Sequence, residues 1–520
     1  MKLDKDKYLE SRNFKPHKTF LALLLVNLLL GLIVYFFPKE GIPISSYGKL
    51  KFVSIDELLQ KDTIESPKVE LEKVLAGVKP LEQTDDTTAL DSSVVSNDSI
   101  IAKKTVKVDD IPAYRQIWMP DSNPKALQML AKALQVESKQ KVVRILHYGD
   151  SQIEGDRVTN YLRYRLQSTY GGTGAGILLP KEPATDSRRN ILIKESENYK
   201  KYAIYGNKDK APKNKYGLGG TTYTITGPYT SFVRWDTTVT TDTLGNSNTK
   251  IQAIFSGEEK NINYLDIKMR HMGYSRSRQH TRVRLLYQNT DISQIRLEND
   301  GNTLKEILPS TSVLGVSKWR LSTNKKLRIS FPQGKTPTIY GVALDGNRGV
   351  AVDNFGMRGS SGQGFSAMNL SLYSRLVKQL NVRAVIMQYG VNVVPNALAN
   401  YNYYKRSMKS QIASFKRANP GISIIVIGPS DMSKNEDGEY ASYENIPLIR
   451  DAMKKAALES GCCFWDLYEA MGGENAMIEW VDQGLAQKDY THLTYKGAKY
   501  VGEMLFEAIQ HRINQYNIVQ

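Results

Sequence analysis

The chain has 520 residues, of which 41% are hydrophobic and 24% charged, and its formal net charge is +17. This length exceeds what one ordinary core covers, and this composition excludes a mostly disordered protein or one with many membrane spans. The Lys and Arg residues are scattered and form no basic helix interleaved with aromatics, so the charge does not predict nucleic-acid binding, and it fits attraction to anionic envelope polymers or lipid head groups at least as well.

An uncharged apolar segment lies near the N-terminus. Residues 20–37 (FLALLLVNLLLGLIVYFF) span 18 positions, close to the minimum length for crossing a bilayer core. Residues 1–19 carry several Lys and Arg, so the positive-inside rule predicts that they are cytoplasmic and that the rest of the chain lies across the membrane. A cleaved signal peptide is the alternative, but the segment ends in large aromatic residues rather than small ones. We therefore expect a single-pass membrane anchor over 20–37.

The next segment, 38–113, has the composition of a flexible linker. No aromatic residue occurs from 53 to 113, and runs such as EQTDDTTALDSSVVSNDS are polar and of low complexity. Within it, VELEKVLAGV at 69–78 favours a short helix.

Beyond residue 114, apolar runs bounded by turns alternate with amphipathic stretches. The predicted strands are 142–147, 350–355, 384–389, 423–428 and 463–467. The predicted helices are 124–136, 153–169, 366–379, 397–418, 443–459 and 495–512. Strands and helices alternating in this way indicate an α/β domain, over 114–185 and 346–520, with a parallel sheet covered by helices on both faces.

Residues 186–345 interrupt this alternation. They contain short runs rich in Thr, Tyr, Val and Ile, such as TTYTITG and RVRLLYQ, separated by Gly, Asn and Pro. Such spacing predicts an all-β sandwich, here a second domain inserted into the first. A set of elaborated loops is the alternative, but structureless loops of this length are rare.

Gly149, Asp150 and Ser151 stand where a predicted buried strand ends and a helix begins. Ligands bind at the carboxyl ends of parallel strands, so the Ser151 hydroxyl should face the crevice of the sheet. Its backbone N–H lies at the positive end of a helix, which suits an anion. Asp or Ser is also an ordinary helix N-cap, so this motif alone does not predict catalysis.

Asp489 and His492 lie just before the last predicted helix, in Asp-Tyr-Thr-His. A hydroxyl is a poor nucleophile near neutral pH unless a base takes its proton, and imidazole does this when a carboxylate fixes its tautomer. The three-residue spacing lets one turn of chain deliver both groups to the same crevice. An Asp cap with an incidental histidine is the alternative.

Two further strand ends carry potential hydrogen-bond donors. Asn392 follows the strand AVIMQYG, and its side-chain amide can donate to a developing oxyanion. Gly359 follows another strand, in NFGMRGSSG, where it can offer a backbone N–H without side-chain obstruction. A turn glycine or turn asparagine is the ordinary interpretation of each, and only their joint position favours a site.

In chain order, Ser151, Gly359, Asn392 and the Asp489–His492 pair resemble the four blocks of the SGNH (GDSL-like) hydrolase superfamily. The resemblance covers about residues 140–178 and 350–512, and it implies a flavodoxin-like parallel sheet. It also implies that Ser151 is the nucleophile, His492 the base and Asp489 the acid that orients it. The Ser151 N–H, Gly359 and Asn392 would form the oxyanion hole. Val393 stands where many members carry Asp, which bears on substrate contacts rather than on the triad.

A finer similarity concerns the substrate. The segments AMGGENAM and GLAQKDYTH, together with a β-domain inserted after the serine block, are similar to peptidoglycan O-acetylesterases, in which the inserted domain resembles a carbohydrate-binding module. This implies an enzyme that removes O-acetyl groups from cell-envelope polysaccharide through an acyl-serine intermediate. With the anchor, it implies a bacterial inner-membrane protein whose catalytic domain is periplasmic.

Three other functions stay open from the sequence. The acyl-serine could pass its acyl group to a sugar hydroxyl, the β-insert could bind glycan beside an idle site, or the substrate could be a lipid, although no long apolar lid lies between the blocks. No metal-ligand cluster or cofactor motif occurs, and we expect neither. The adjacent Cys462 and Cys463 are expected to be buried free thiols.

Overall fold

The structure is a computed structural model of the chain. It describes residues 16–38, 42–45, 48–50, 69–81, 111–182, 187–206, 209–227, 230–241, 247–259, 263–321, 325–436 and 438–516. The chain divides into two units, 1–67 and 68–520. Most of the predicted linker, and residues 1–15 of the predicted cytoplasmic segment, lie outside the described residues.

The first unit contains helix α1 (Pro16–Phe36) and an antiparallel pair of short strands, β1 (Ile42–Ser45) and β2 (Gly48–Leu50). Across the part of the chain that the structure describes, no helix meets the length and hydropathy criteria for a membrane span. The anchor over 20–37 stays a prediction from the sequence.

The second unit contains the remaining elements. Its helices are α2 (Leu71–Val74), α3 (Gln128–Gln135), α4 (Arg157–Tyr170), α5 (Ser275–Arg278), α6 (Leu370–Gln379), α7 (Asn402–Ala418), α8 (Ile446–Glu459), α9 (Leu467–Met471), α10 (Ala476–Asp482) and α11 (Tyr495–Asn514). Its strands are β3 (Val142–Gly149), β4 (Gly176–Leu178), β5 (Ile191–Glu195), β6 (Tyr199–Ala203), β7 (Thr221–Ile225), β8 (Phe232–Thr241), β9 (Ser247–Phe255), β10 (Tyr264–Met269), β11 (Arg282–Gln288), β12 (Ser293–Asn299), β13 (Asn302–Leu308), β14 (Gly315–Arg320), β15 (Lys326–Gly334), β16 (Thr338–Asp345), β17 (Gly349–Gly356), β18 (Val382–Gln388), β19 (Ser423–Ile427), β20 (Ser433–Glu436), β21 (Glu439–Ser442) and β22 (Cys463–Trp465).

Five strands form a parallel sheet in the order β17–β3–β18–β19–β22. Successive side chains of a strand point to opposite faces, and both faces of β3 are apolar. Leu146 and Tyr148 pack in one core with α6, α7 and α8, whereas Val143 and Ile145 pack in another with α3, α4 and α11. The predicted α/β fold with a helix-covered parallel sheet is confirmed.

Several predicted boundaries shift by a few residues for local reasons. The strand predicted over 463–467 ends at Trp465, because the Asp466 side chain accepts a hydrogen bond from the backbone N–H of Glu469 and so begins α9. The helix predicted from 153 begins at Arg157, because Gly155 and Asp156 both adopt left-handed backbone conformations, with φ of 67° and 64°. A tight turn therefore separates Ser151 from the helix that follows.

Between α4 and β17 the strands are antiparallel. One sheet has the order β13–β12–β15–β10–β5, another has the order β14–β11–β16–β7–β6 with β4 beside β16, and β8 pairs with β9. Ile267 and Leu297 of the first sheet share an apolar core with Leu285 and Ile339 of the second. The β-insert predicted over 186–345 falls on these strands, although β4 joins them from before that range.

Candidate active site

Ser151 lies two residues beyond β3, at the carboxyl edge of the parallel sheet. The Asp150 carboxylate accepts a hydrogen bond from the backbone N–H of Gln152 at 2.9 Å, which closes a turn around the serine. A Cβ at Gly149 would lie 2.9 Å from both the Gln388 carbonyl oxygen and the Ile153 side chain, so only glycine lets the chain pass here. Ser151 itself is 8% exposed. The turn therefore fixes the hydroxyl at the rim of the sheet.

The structure brings Ser151, His492 and Asp489 together in one hydrogen-bonded row. Ser151 Oγ lies 2.8 Å from His492 Nε2, although 341 residues separate them in the chain. His492 Nδ1 lies 2.7 Å from Asp489 Oδ2. With the carboxylate accepting from Nδ1–H, Nε2 is left to accept the proton of the serine hydroxyl. This is the geometry that general-base activation of a serine requires.

Asp489 is held in its charged form by the turn it begins. Partial burial opposes ionisation, but the backbone N–H and imidazole of His492 and the backbone N–H of Thr491 all donate to this carboxylate, and together they lower the pKa of Asp489. The carboxylate therefore stays ionised beside the imidazole and can stabilise the imidazolium that forms when His492 takes a proton.

Two contacts that the sequence interpretation did not single out hold the histidine turn in place. Gln152 donates from Nε2 to the Thr491 carbonyl oxygen at 2.6 Å and to Ser430 Oγ at 3.1 Å. The ring of Tyr490 stacks on that of Tyr440, with centroids 3.6 Å apart. No periodicity or spacing in the sequence marks these contacts, since they join segments that are distant in the chain.

Gly359 lies in an exposed loop after β17, with φ +76°. This loop is tied to the serine turn at two points: Met357 N–H donates to the Gly149 carbonyl oxygen at 2.7 Å, and Arg358 forms an ion pair with Glu154 at 2.6 Å. From the other side, the Tyr205 hydroxyl donates to the Gly359 carbonyl oxygen. Tyr205 follows β6 of the antiparallel region, and the sequence interpretation did not identify it.

Asn392 lies in the turn after β18, where Val393 N–H donates to the Gly390 carbonyl oxygen at 2.8 Å. The Asn392 amide nitrogen donates to the Ser360 carbonyl oxygen at 3.0 Å. The structure thereby brings Asn392 and the Gly359 loop together. Since a side-chain amide carries two N–H donors, this contact leaves one for another acceptor.

Two buried ionisable groups lie close to the serine without joining the row. Burial raises the pKa of Asp150 to about 7, against the opposing effect of the Gln152 N–H. Burial lowers the pKa of His147 to about 4, and its ring lies 3.1 Å from Gln388 Oε1 and 3.0 Å from Thr159 Oγ1. His147 is thus a satisfied, neutral interior histidine, and the accessible imidazole beside Ser151 is that of His492.

This parallel sheet, with a serine, an imidazole and a carboxylate at its carboxyl edge, defines the class of α/β serine hydrolases of the SGNH kind. Residues 329–500 match the family described as GDSL-like Lipase/Acylhydrolase family. The match includes Gly359, Asn392, Asp489 and His492. It begins after Ser151, so only the geometry places Ser151 beside His492 and Asp489.

Among solved structures, a peptidoglycan O-acetylesterase is similar with a TM-score of 0.55 and 21% identity, over 75% of this chain and 97% of that one. An acetyl xylan esterase has a TM-score of 0.23 and 15% identity, over 31% of this chain and 81% of that one. A family two carbohydrate esterase from Clostridium thermocellum has a TM-score of 0.24 and 10% identity, over 50% of this chain and 94% of that one. The similarity to the peptidoglycan O-acetylesterase supports a shared fold, whereas the TM-scores of the other two structures are too low to support one. No curated protein matches the sequence.

Proposed function

We propose that this chain is a serine esterase that removes O-acetyl groups from cell-envelope polysaccharide. The observation that carries the proposal is the row in which Ser151 Oγ lies 2.8 Å from His492 Nε2 and His492 Nδ1 lies 2.7 Å from Asp489 Oδ2. The match of residues 329–500 to a GDSL-like lipase/acylhydrolase family supports ester hydrolysis. The similarity in fold to a peptidoglycan O-acetylesterase supports the choice of glycan and acyl group.

The mechanism has two steps at one serine. His492 takes the proton of Ser151 as Oγ attacks the ester carbonyl, and the tetrahedral oxyanion is stabilised by N–H donors, for which the Ser151 N–H, Gly359 and Asn392 are the candidates. His492 then passes the proton to the leaving sugar oxygen, which frees the sugar hydroxyl and leaves acetyl-serine. Water, deprotonated by the same imidazole, attacks the acetyl carbonyl and releases acetate, and the proton returns to Ser151.

We propose further that this reaction takes place outside the cytoplasm, with 20–37 as an uncleaved anchor in a bacterial inner membrane. The support is the sequence: an uncharged apolar segment follows a segment with several Lys and Arg. Protease added to spheroplasts should degrade the 68–520 unit while a cytoplasmic marker survives. Protection of that unit until the membrane is lysed would contradict the proposed location.

The activity is tested with purified protein on p-nitrophenyl acetate and on O-acetylated peptidoglycan. Wild type should release acetate from both, and Ser151→Ala should release none above background. A matched control is Ser361→Ala, which changes a serine of the Gly359 loop and should keep the esterase rate. Equal rates for wild type and Ser151→Ala would reject the mechanism. Added chito-oligosaccharide that becomes acetylated would show transfer in place of hydrolysis.

A further inference from the structure

A cavity of about 150 Å³ lies between the antiparallel region and the end of the parallel sheet. One wall is formed by Lys201, residues 203–206, residues 219–221 and Tyr223, and the opposite wall by residues 354–358 of β17 and its following loop. Pockets for drug-sized ligands occupy about 300–1,000 Å³. This cavity therefore suits one small unit of a ligand rather than a long acyl chain.

The first wall is one face of the β6–β7 pair. Lys201 stands opposite Tyr223, and Ala203 stands opposite Thr221. Side chains that are directly opposite in an antiparallel pair lie on the same face, and all four of these residues line the cavity. The face presents an ammonium group, two hydroxyls and a ring to the same small space.

The two hydroxyls of this wall have little bonding within the protein. Thr221 and Tyr223 are 7% and 0% exposed, and within the described ranges neither hydroxyl has a hydrogen-bond partner other than the contact between the two. Buried polar groups in proteins almost always have a partner. Both residues line the cavity, so small shifts of their side chains would let a ligand with hydroxyl groups provide the missing hydrogen bonds.

The lining of the cavity includes the Glu182 carboxylate and the Lys201 ammonium group. Arg188 donates to both oxygens of Glu182, at 2.9 and 3.0 Å. The Lys201 ammonium lies 3.4 Å from the Lys181 carbonyl oxygen. Burial lowers the pKa of Lys201, and the charge of Glu182 opposes that effect. An ammonium group carries three N–H donors and a carboxylate carries none, so Lys201 is the one of these two groups that can donate to a ligand hydroxyl.

The opposite wall is continuous with the candidate active site. Gly356 lines the cavity, and a Cβ at this position would lie 3.5 Å from the Asp150 carbonyl oxygen, next to Ser151. Arg358 also lines the cavity and directly precedes Gly359. A ligand unit in the cavity would thus adjoin the oxyanion loop from the side of the β-insert.

We propose that this cavity is a saccharide subsite, which binds a sugar unit of the glycan that carries the ester. The ring of Tyr205, which is 37% exposed, provides apolar surface for a sugar face, and Thr221, Tyr223 and Lys201 provide hydrogen bonds for its hydroxyls. The inference deepens the proposed function, because it assigns glycan selectivity to residues of the β-insert. The subsite rests on the proposed function only in that the bound glycan is taken to be the substrate of the esterase reaction.

The test compares two substrates that share the ester but differ in the sugar. The cavity variants are Lys201→Met and Thr221→Val, each of which removes one hydrogen-bond donor with little change in size. The control variants are Lys200→Met and Thr224→Val, which make the same changes on the other face of β6 and β7, where Lys200 pairs with Thr224. For O-acetylated chitotriose, kcat/KM should fall about tenfold in each cavity variant, as for one lost hydrogen bond to or from a charged or buried group. Turnover of p-nitrophenyl acetate should stay unchanged, and the control variants should match wild type on both substrates.

Two results would overturn the subsite. One is an unchanged kcat/KM for O-acetylated chitotriose in both cavity variants, and the other is an equal loss on both substrates in variants whose melting temperature matches wild type. Failure of the proposed function is distinguishable, since wild type would then cleave neither substrate. In that event, chitotriose binding measured by calorimetry decides the cavity by itself: it should weaken about tenfold in Lys201→Met and stay unchanged in Lys200→Met.

Discussion

Asp489 shows how one residue can orient the candidate catalytic base, His492. Its carboxylate accepts from two backbone N–H groups and from the imidazole within a single turn, so the charge that orients His492 is fixed by local chain geometry. Ser151 is 341 residues away from His492 in the sequence, so a contact between distant segments must hold it beside the Asp489–His492 turn. Gln152 provides it by donating to the Thr491 carbonyl oxygen.

Asp489→Asn should lower kcat on p-nitrophenyl acetate by about 10²- to 10⁴-fold. The amide can no longer select the imidazole tautomer that leaves Nε2 free to accept the serine proton, nor stabilise the imidazolium. Steady-state kinetics measure the loss. Asp482→Asn, an exposed change at the end of α10, is the matched control and should keep wild-type kinetics. A loss below tenfold in Asp489→Asn would show that this carboxylate does not orient the base.

Asp150→Asn should make the protein more stable at alkaline pH. Burial raises the pKa of Asp150 from 3.8 to about 7, so between these values the folded state keeps a proton that the unfolded chain has released. The free energy of unfolding of wild type therefore falls as pH rises through this window, and the penalty is complete above pH 7. Asn cannot ionise, so the variant should be more stable by up to roughly 4 kcal/mol at pH 8 and nearly equal to wild type below pH 4.

Urea unfolding at pH 4 and pH 8 measures this difference. Asp482→Asn again serves as the control, since its exposed carboxylate should give a difference near zero at both values. A stability difference between Asp150→Asn and wild type that is the same at both pH values would contradict the explanation by proton linkage.

At the scale of elements, the loop after β17 is held from two directions. Arg358 and Met357 join it to the serine turn, and Tyr205, beyond the end of β6, donates to the Gly359 carbonyl oxygen. Gly359 is the exposed member of the proposed oxyanion hole, so its peptide orientation depends on these contacts. The β-insert thereby contacts this loop through the Tyr205 hydroxyl.

Tyr205→Phe should lower kcat about three- to tenfold and leave KM nearly unchanged. One hydrogen bond contributes about 1 kcal/mol, and this one orients a loop that acts on the transition state rather than on bound substrate. Steady-state kinetics on p-nitrophenyl acetate separate the two constants. Tyr202→Phe is the control: it removes a hydroxyl from β6, the strand that precedes Tyr205, and should leave kcat and KM unchanged. A rise in KM at constant kcat would assign Tyr205 to substrate binding instead of loop positioning.

At the scale of the whole molecule, a buried charge cluster joins the antiparallel region to the parallel sheet. Arg144 of β3 donates to Asp345 at the end of β16, at 2.7 Å, and to Asp353 of β17, and Arg284 of β11 also donates to Asp345. Burial raises the pKa of Asp345, but the two guanidinium groups outweigh it and lower that pKa overall. The two sheets therefore share a cluster in which each charge depends on the others.

Arg144→Met should destabilise the fold by about 3–5 kcal/mol. The change leaves the buried Asp353 without its ion-pair partner and Asp345 with one partner in place of two, and removing one member of a buried ion pair costs this much. Urea unfolding at pH 7 measures it. Arg320→Met, on the exposed face of β14, should cost less than about 0.5 kcal/mol. A cost below 1 kcal/mol for Arg144→Met would show that the cluster does not hold the two sheets together.

The sequence determined the elements and the chemistry of this protein through signals that act over a few residues. Apolar runs bounded by turns predicted the strands of the parallel sheet, and amphipathic stretches predicted the helices beside them. The Asp489–His492 spacing predicted a carboxylate–imidazole turn. Such signals are local, because each depends on the path of one or two turns of chain. The antiparallel strands of the insert were also indicated by composition and turn residues.

Only the tertiary structure decided what meets across long separations. It brought His492 to within 2.8 Å of Ser151 over 341 residues, set Gln152 against Thr491, and placed Tyr205 beside Gly359 and Lys201 opposite Tyr223. No periodicity encodes these contacts, because strand order and the packing of one sheet against another follow from the burial of the whole apolar surface rather than from any short segment.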